Sequence, residues 1–354
     1  MPQPDPPFRS VTTPGLSPSP KTSVKAAPIT EWIYHKTIDN LHPDTKEQQM
    51  MWLMNRARSN PEQEGIWLVT MADPDVVNAV NYFGVDLDLL MAEFAAIEAK
   101  PPAAFDVRLY NAAKVHSDDL ILRDAQDHND QFTQVTDAGF SFVAIRGNVF
   151  SYTKSAVHGH AGFNIDWGVD PTGMQPERGH RLAIMSMDGD YSNVGIAMVS
   201  ETDSTTEVGP LVTTGNYAKA NESSPNHYNR FLVGTVWEDL NDNGMYDTGE
   251  GMENITIRPD QGSYYAVTAN SGGYAIPVSA GDYLITFSGT GLTGDISRMV
   301  SVGTTSVLCD LLYAENSSND EEPSEDTGAA DDTVIDEPII GGGSGGGGCF
   351  VNSL

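Results

Sequence analysis

Tyr191-Ser-Asn-Val-Gly-Ile-Ala-Met-Val199 is a run of small and apolar residues without a charge, and it reads as a buried strand. Helices precede it. Glu47 to Arg58 places Met50, Met51, Leu53 and Met54 on one face and stops near Asn60-Pro61, which predicts an amphipathic helix. Two more helical stretches, Leu87 to Lys100 and Phe105 to Asp124, are separated by the break at Pro101-Pro102. After Gly139 short helical and strand-like runs alternate. Helices packed on a short sheet suit this order, so an α/β sandwich is expected over 41–205.

Outward from that domain the composition changes. Residues 1 to about 30 are rich in Pro, Ser and Thr with few large apolar side chains, so 1–40 are expected to be a disordered leader. Residues 206–228 are polar and turn-rich and read as a linker, with one short strand at Pro210 to Thr214. From 229 to 314 apolar and polar residues alternate between Gly and Asn turns. Phe231-Leu-Val-Gly-Thr-Val-Trp, Asn254-Ile-Thr-Ile and Asp282-Tyr-Leu-Ile-Thr-Phe predict a small all-β sandwich. Residues 315–337 carry ten acidic residues and no basic ones, and a glycine tract follows, so 315–354 read as a disordered tail.

The net charge is −30, from 49 acidic and 19 basic residues. Phosphate binding needs clustered Lys and Arg, so nucleic acid is excluded as a partner and anionic membranes are disfavoured. No run approaches the ~20 apolar residues that cross a bilayer, so no transmembrane segment is expected. Residues 1–30 lack a basic start followed by an apolar core, so no signal peptide is visible. Cys309, in Ser306-Val-Leu-Cys-Asp-Leu-Leu, reads as a small buried strand residue, and Cys349 follows the glycine tract. The two are not expected to pair, which leaves no disulfide framework.

The sharpest motif is Asp239-Leu-Asn241-Asp-Asn243-Gly244-Met245-Tyr-Asp247-Thr-Gly-Glu250, which fits the twelve-residue calcium-loop pattern at every position. Oxygen ligands would come from Asp239, Asn241, Asn243, the Met245 carbonyl, Asp247 and a bidentate Glu250, with Gly244 at the sharp turn. Strands flank it, Val233-Gly-Thr-Val-Trp237 before and Ile255-Thr-Ile after, so the loop reads as a structural calcium site and not as a sensor. The competing reading is a polar hairpin with solvated carboxylates. An extracellular module needs an affinity of only roughly 10⁻⁴–10⁻³ M.

Val233-Gly-Thr-Val-Trp-Glu-Asp-Leu-Asn-Asp-Asn-Gly, Asp247-Thr-Gly-Glu-Gly, Ser271-Gly-Gly-Tyr-Ala-Ile-Pro and Ala280-Gly-Asp-Tyr-Leu-Ile-Thr together resemble the B-type repeat domains of bacterial surface adhesins and related transthyretin-like modules. The resemblance covers residues 231–314 and implies a stiff, calcium-clamped spacer.

The first domain carries a second resemblance. Asn55-Arg-Ala-Arg-Ser-Asn-Pro, Leu109-Tyr-Asn-Ala-Ala-Lys-Val-His-Ser-Asp-Asp-Leu, Gly179-His-Arg-Leu-Ala-Ile-Met and Val194-Gly-Ile-Ala-Met-Val stand in one order. In order and spacing they resemble the bacterial, cysteine-poor form of the superfamily of cysteine-rich secretory proteins, antigen 5 and pathogenesis-related proteins (CAP). Over about Thr45 to Ser200 this implies an α-β-α sandwich and an exported protein. Family members carry a cleft of two histidines and two acidic residues that in some cases binds a divalent metal. The matching histidines are His116 and His180, which would hold zinc with a carboxylate and water. The first acidic position precedes Asn148 and is Gly147 here; the second falls at Asp170, with Asp166 as the alternative. One of four groups is missing, which lowers metal affinity and any acid–base role. The plainer reading makes His116 a hydrogen-bonded helix residue and His180 a structural contact beside Arg181.

His158 and His160, in Val157-His-Gly-His, form another ligand-type pair but read as solvent-exposed. Trp167, Phe163 and Phe140 would line an apolar groove for lipid or sterol, or belong to the core. No His-Glu-x-x-His helix and no Gly-x-Ser-x-Gly elbow occurs. Gly345-Gly-Gly-Gly-Cys-Phe-Val-Asn resembles the start of C-terminal sorting signals, without the apolar helix and basic end that follow in them. Three functions compete. The first is a non-catalytic exported or surface-attached module that binds an extracellular protein or glycan. The second is a metal-dependent hydrolase with His116, His180 and Asp170 as catalytic candidates. The third is a carrier of small apolar ligands.

Overall fold

The computed structural model describes residues 26–203 and 205–314. The chain runs through β1 (Thr30–Glu31), α1 (Thr45–Ser59), α2 (Pro61–Thr70), α3 (Pro74–Phe83), α4 (Leu87–Ala95), β2 (Ala104–Phe105) and α5 (Val107–Arg123). It continues through α6 (Gln131–Asp137), β3 (Phe142–Thr153), α7 (Ala156–Ile165), α8 (Gly179–Ile184), β4 (Asn193–Ser200) and β5 (Leu211–Ala220). Strands alone follow: β6 (Phe231–Trp237), β7 (Ile255–Pro259), β8 (Tyr264–Val267), β9 (Gly273–Pro277), β10 (Gly281–Gly289), β11 (Ile296–Val302), β12 (Val307–Leu308) and β13 (Leu311–Leu312). The chain is therefore a mixed α/β protein whose helices precede an all-β part.

The first domain is built on a four-stranded sheet in the order β2-β4-β5-β3. Side chains along β4 alternate between its faces. Gly195 faces α5 so closely that a Cβ there would stand 2.1 Å from the Tyr110 backbone nitrogen. Polar pairs weld the same face: Asn216 Nδ2 donates to the Leu109 carbonyl at 3.1 Å, and Ser117 Oγ to Thr214 Oγ1 at 2.8 Å. Val194, Ile196 and Met198 point the other way, into the largest core cluster, with Met50 and Met54 of α1 and Phe163 of α7. Inside that core Arg58 is fully buried, donating to the Ile184 carbonyl at 2.7 Å and the Tyr191 carbonyl at 2.8 Å. Burial lowers its pKa to about 10.

The β part has two sheets, β1-β8-β7-β10-β11 and β12-β6-β13 with β9 also on β6. Leu232, Val236, Ile257, Ile276, Ile285 and Phe287 fill the space between them. Cys309 is buried as expected, its backbone N–H on the Val233 carbonyl at 2.7 Å.

The domain limits read from the sequence move at both ends. Residues 26–40 are packed, not free. Thr30 and Glu31 add a parallel strand to β8, and Trp32 is buried against Tyr34, Tyr228 and Tyr264. The segment taken as a linker contains β5, a central strand of the first sheet, so that domain runs past residue 205 to about Ala220. The helix expected over Leu87 to Lys100 ends at Ala95, and α2, α3, α6, α7 and α8 were not individually foreseen. The remainder of the leader and the tail with Cys349 lie outside the described residues.

The closeness of α5 to β4 is open to test. Gly195→Ala should destabilise the protein by about 1–3 kcal/mol in denaturant unfolding, because a methyl group forces helix and strand apart. Gly294→Ala, where a Cβ meets nothing within 4 Å, should stay within about 0.5 kcal/mol of wild type.

Candidate functional site

Helix α5 carries His116 on its buried side, and the turn from 124 to 130 brings Asp127 and His128 back over it. Both ring nitrogens of His116 lie 3.0 Å from an oxygen, Nδ1 from Gln134 Oε1 and Nε2 from the Asp127 carbonyl. A neutral ring satisfies both when Nε2–H donates to the carbonyl and the Gln134 amide turns its NH₂ to Nδ1. Burial holds the His116 pKa below its ordinary value.

His180 stands at the start of α8, across the sheet edge. Asp166, the left-handed cap of α7, accepts twice from it, at 2.9 Å from the backbone N–H and 2.6 Å from Nδ1. Asn148 Nδ2 donates to the His180 carbonyl at 3.0 Å. Of the two acidic positions weighed for this cleft, Asp166 is the one at the histidine. Asp170 instead closes its own turn, accepting from Thr172 N at 3.1 Å and Thr172 Oγ1 at 2.9 Å. A proline follows Asp170 and a threonine follows that, so its carboxylate is spent locally.

At Gly147, where the resemblance leads one to expect an acid, the space is filled. A Cβ at Gly147 would stand 2.5–2.7 Å from the Nε2, Oε1 and Cδ atoms of Gln131, whose fully buried side chain occupies that space. Gln131 Nε2 donates to Asn216 Oδ1 at 3.0 Å, and Gln131 Oε1 lies 2.7 Å from His128 Nδ1. His128 is half-buried, and its pKa is lowered by burial and then by the nearby His180 and His116. Gln131 and His128 were missed from the sequence. The one available signal was Gly147 itself, since a space left in a cleft has to be filled.

Other expected site features separate. His158 and His160 are buried, not exposed. Phe150 and Trp167 pack on His158, whose pKa burial lowers to about 4. His160 Nε2 meets Glu64 Oε1 at 2.8 Å, and Arg56 holds the same carboxylate at 2.7 Å. Burial alone would raise the Glu64 pKa, but His160 and Arg56 together hold it below the ordinary value. Phe163 and Trp167 belong to the main core, whereas Phe140 packs on the far side with Leu109, Val135 and Ala218. The three rings do not line one groove. The recess beside Phe163, Trp167 and His180 measures about 10 Å³, room for a single water.

The twelve-residue loop leaves β6 after Trp237 and rejoins it through the Trp237–Gly251 bridge. Asp239 accepts from Asn243 N at 3.1 Å and Gly244 N at 2.6 Å. Asn241 Oδ1 accepts from Asn243 N at 3.1 Å, and Asn243 Oδ1 from Met245 N at 2.7 Å. Glu250 is buried, with Oε1 accepting from Leu240 N at 3.0 Å and Oε2 from Asp247 N at 2.7 Å. Asp247 Oδ2 accepts from the Asn241 and Asn243 amides at 2.8 and 2.7 Å. Gly244 has φ +73°, with open space where a Cβ would lie, so the turn at the sixth position is a backbone demand.

Among the described residues, one group of three His, Cys, Asp or Glu side chains has its ligand atoms within 4.8 Å of one another, and it is His42, Asp44 and Glu47. It is neither the zinc pair expected in the cleft nor the carboxylates of the loop. Its atoms are committed to the start of α1: Asp44 accepts from Lys46 N and Glu47 N, while Glu47 accepts from Asp44 N and the His42 ring. That is a capping box with a histidine attached.

Comparison of the sequence with protein-family models matched none, and a search of curated proteins found no significant match.

The filled cleft makes a double-mutant test. Gly147→Glu should destabilise by about 1–3 kcal/mol through its clash with Gln131. Adding Gln131→Ala should recover part of that loss, with a coupling of at least about 0.5 kcal/mol in a denaturant cycle. Strict additivity would mean the two side chains do not share the space.

Proposed function

We propose that this chain is an exported or surface-attached bacterial binding protein without catalytic activity, in which a CAP-type α-β-α domain is joined to an adhesin-type β-module stabilised by calcium. The observation that carries the reading is the loop at 239–250. Its donors are all oxygens, which suits a hard cation, and its backbone N–H groups already anchor Asp239 and Glu250 from both arms. Asp239, Asn241, Asn243, the Met245 carbonyl, Asp247 and Glu250 would hold the ion. It would replace the two asparagine amides that now rest on Asp247. Strands on both sides supply no helix pair to open, so the ion would stiffen and not switch the module.

Two further observations favour binding over turnover. His116 has both ring nitrogens committed, and a neutral amide stands at the first acidic position. The partner is then an extracellular protein or glycan, since the rings proposed for an apolar ligand are divided between two cores. The buried His180–Asp166 pair is what favours the hydrolase reading, as a base oriented by a carboxylate. Tight one-to-one zinc binding by the full chain, lost in a His116→Ala, His180→Ala variant, would favour that reading instead.

Thermal unfolding tests the calcium proposal. With an affinity near 10⁻⁴ M, 10 mM calcium should stabilise the protein by about 2.7 kcal/mol relative to EDTA. Glu250→Gln should abolish the difference. Equal melting temperatures in calcium and EDTA would overturn it.

A further inference from the structure

The loop is not free on its outer side. Helix α1 of the first domain lies against it, and Gln49 crosses the boundary. Gln49 Nε2 donates to Asp247 Oδ1 at 2.6 Å and lies 3.3 Å from the Tyr246 carbonyl. Gln49 is itself buried, so its amide finds its partners on the loop and not in water. One turn along the helix Trp52 meets Trp237, the last residue of β6, edge to face at 5.9 Å. Another turn on, Arg56 Nη1 reaches the sulfur of Met245, 3.5 Å away. Next to Gln49, Gln48 donates to Thr235 Oγ1 at 2.8 Å. A Cβ at Gly273 would stand 2.1 Å from Gln48 Oε1, so β9 presents bare backbone to let that amide in.

We propose that the cation site is shared between the domains, Gln49 being a positioning residue that holds Asp247 from outside the twelve-residue loop, so that cation binding and domain docking are one coupled equilibrium. The inference rests on the calcium reading of the loop. Asp247 has two oxygens with different duties. Oδ1 is tied to Gln49, and Oδ2 faces the Asn241 and Asn243 amides that a cation would displace. Fixing one oxygen aims the other, which is how an outer partner raises the affinity of a carboxylate ligand. A neutral amide suits the task. A carboxylate at position 49 would repel Asp247, and an ammonium would compete with the ion for it. Linkage then requires reciprocity. By whatever factor docking tightens the ion, the ion tightens docking.

The test uses the full chain, stripped with EDTA and titrated with calcium chloride by calorimetry. Gln49→Met keeps the volume and removes the donor; its calcium affinity should fall by about 10–100-fold. Trp52→Ala loosens the same boundary one turn from the ligands, and it should weaken calcium by about 5-fold or more although it touches no ligand. In scanning calorimetry, calcium should raise the unfolding of the first domain together with the β-module in wild type. In Gln49→Met only the β-module transition should move. Wild-type affinity in both variants would overturn the shared site while leaving the calcium loop in place. No calcium binding by wild type, with Glu250→Gln indistinguishable from it, would overturn the loop reading and the shared site together.

Discussion

Helix α1 buries nearly its whole circumference, and the two halves of the molecule depend on that. Ten of its fifteen residues are buried, polar and apolar alike. Met50, Met54 and Ala57 face the main core, and Arg58 ties the backbone at Ile184 and Tyr191 to it. Gln48, Gln49 and Trp52 face the β-module. A helix with one wet face can be lost to local unfolding; a helix covered on both sides transmits strain between its neighbours. The N-terminal segment adds a second tie, since β1 pairs with β8 while the Tyr34 carbonyl accepts from Val107 N at 2.8 Å. The β-module is thus packed onto the first domain and not strung from it.

Part of this was legible in the sequence and part was hidden, for reasons that can be named. The apolar stripe of α1 and the uncharged run of β4 follow simple periodicity. Asn60-Pro61 was read as a stop, and it is also a start: Asn60 caps α1 at its end and α2 at its beginning, with Pro61 in the first turn. Of β5 only the short strand at Pro210 to Thr214 was legible, because its buried middle is Thr213, Thr214, Gly215 and Asn216; Thr214 accepts from Ser117, and Asn216 bonds Leu109 and Gln131. Composition suggested a linker, whereas tertiary pairing made a central strand. The anchoring of residues 26–40 turns on a two-residue pairing, one tryptophan and the bonds of His35 and Lys36 to the Val267 carbonyl, which give no periodic signal.

The cleft shows the same logic at a finer scale. His116 and His180 were legible as residues, and Asp166 was among the alternatives. What spacing along the chain does not show is which side chain fills a gap. Gly147 removes a side chain from β3, and Gln131, sixteen positions earlier on α6, takes the space. Where the resemblance leads one to expect an acidic side chain, the structure has a neutral hydrogen-bonded cluster of Gln131, Asn216 and His128. Buried histidines in such a cluster are held neutral by desolvation, which is the direction seen for His116 and His128.

The acidity of the chain and the loop belong to one argument. Between Glu238 and Glu250 stand five carboxylates, Glu238, Asp239, Asp242, Asp247 and Glu250. Among the described residues no Lys or Arg forms an ion pair with any of them. Arg56, which reaches the loop, is bidentate on Glu64 and meets the loop at a methionine sulfur. Among the described residues, backbone N–H groups and side-chain amides donate to these carboxylates. Such donors orient oxygens without neutralising them, so the carboxylates still repel one another, and the proposed cation would offset that repulsion. A loop short of positive charge, yet held in shape by neutral donors from its own backbone and from α1, suits the cation proposed for it. Because one of those donors belongs to the other domain, a cation bound as proposed would relieve the same repulsion on both sides of the interface.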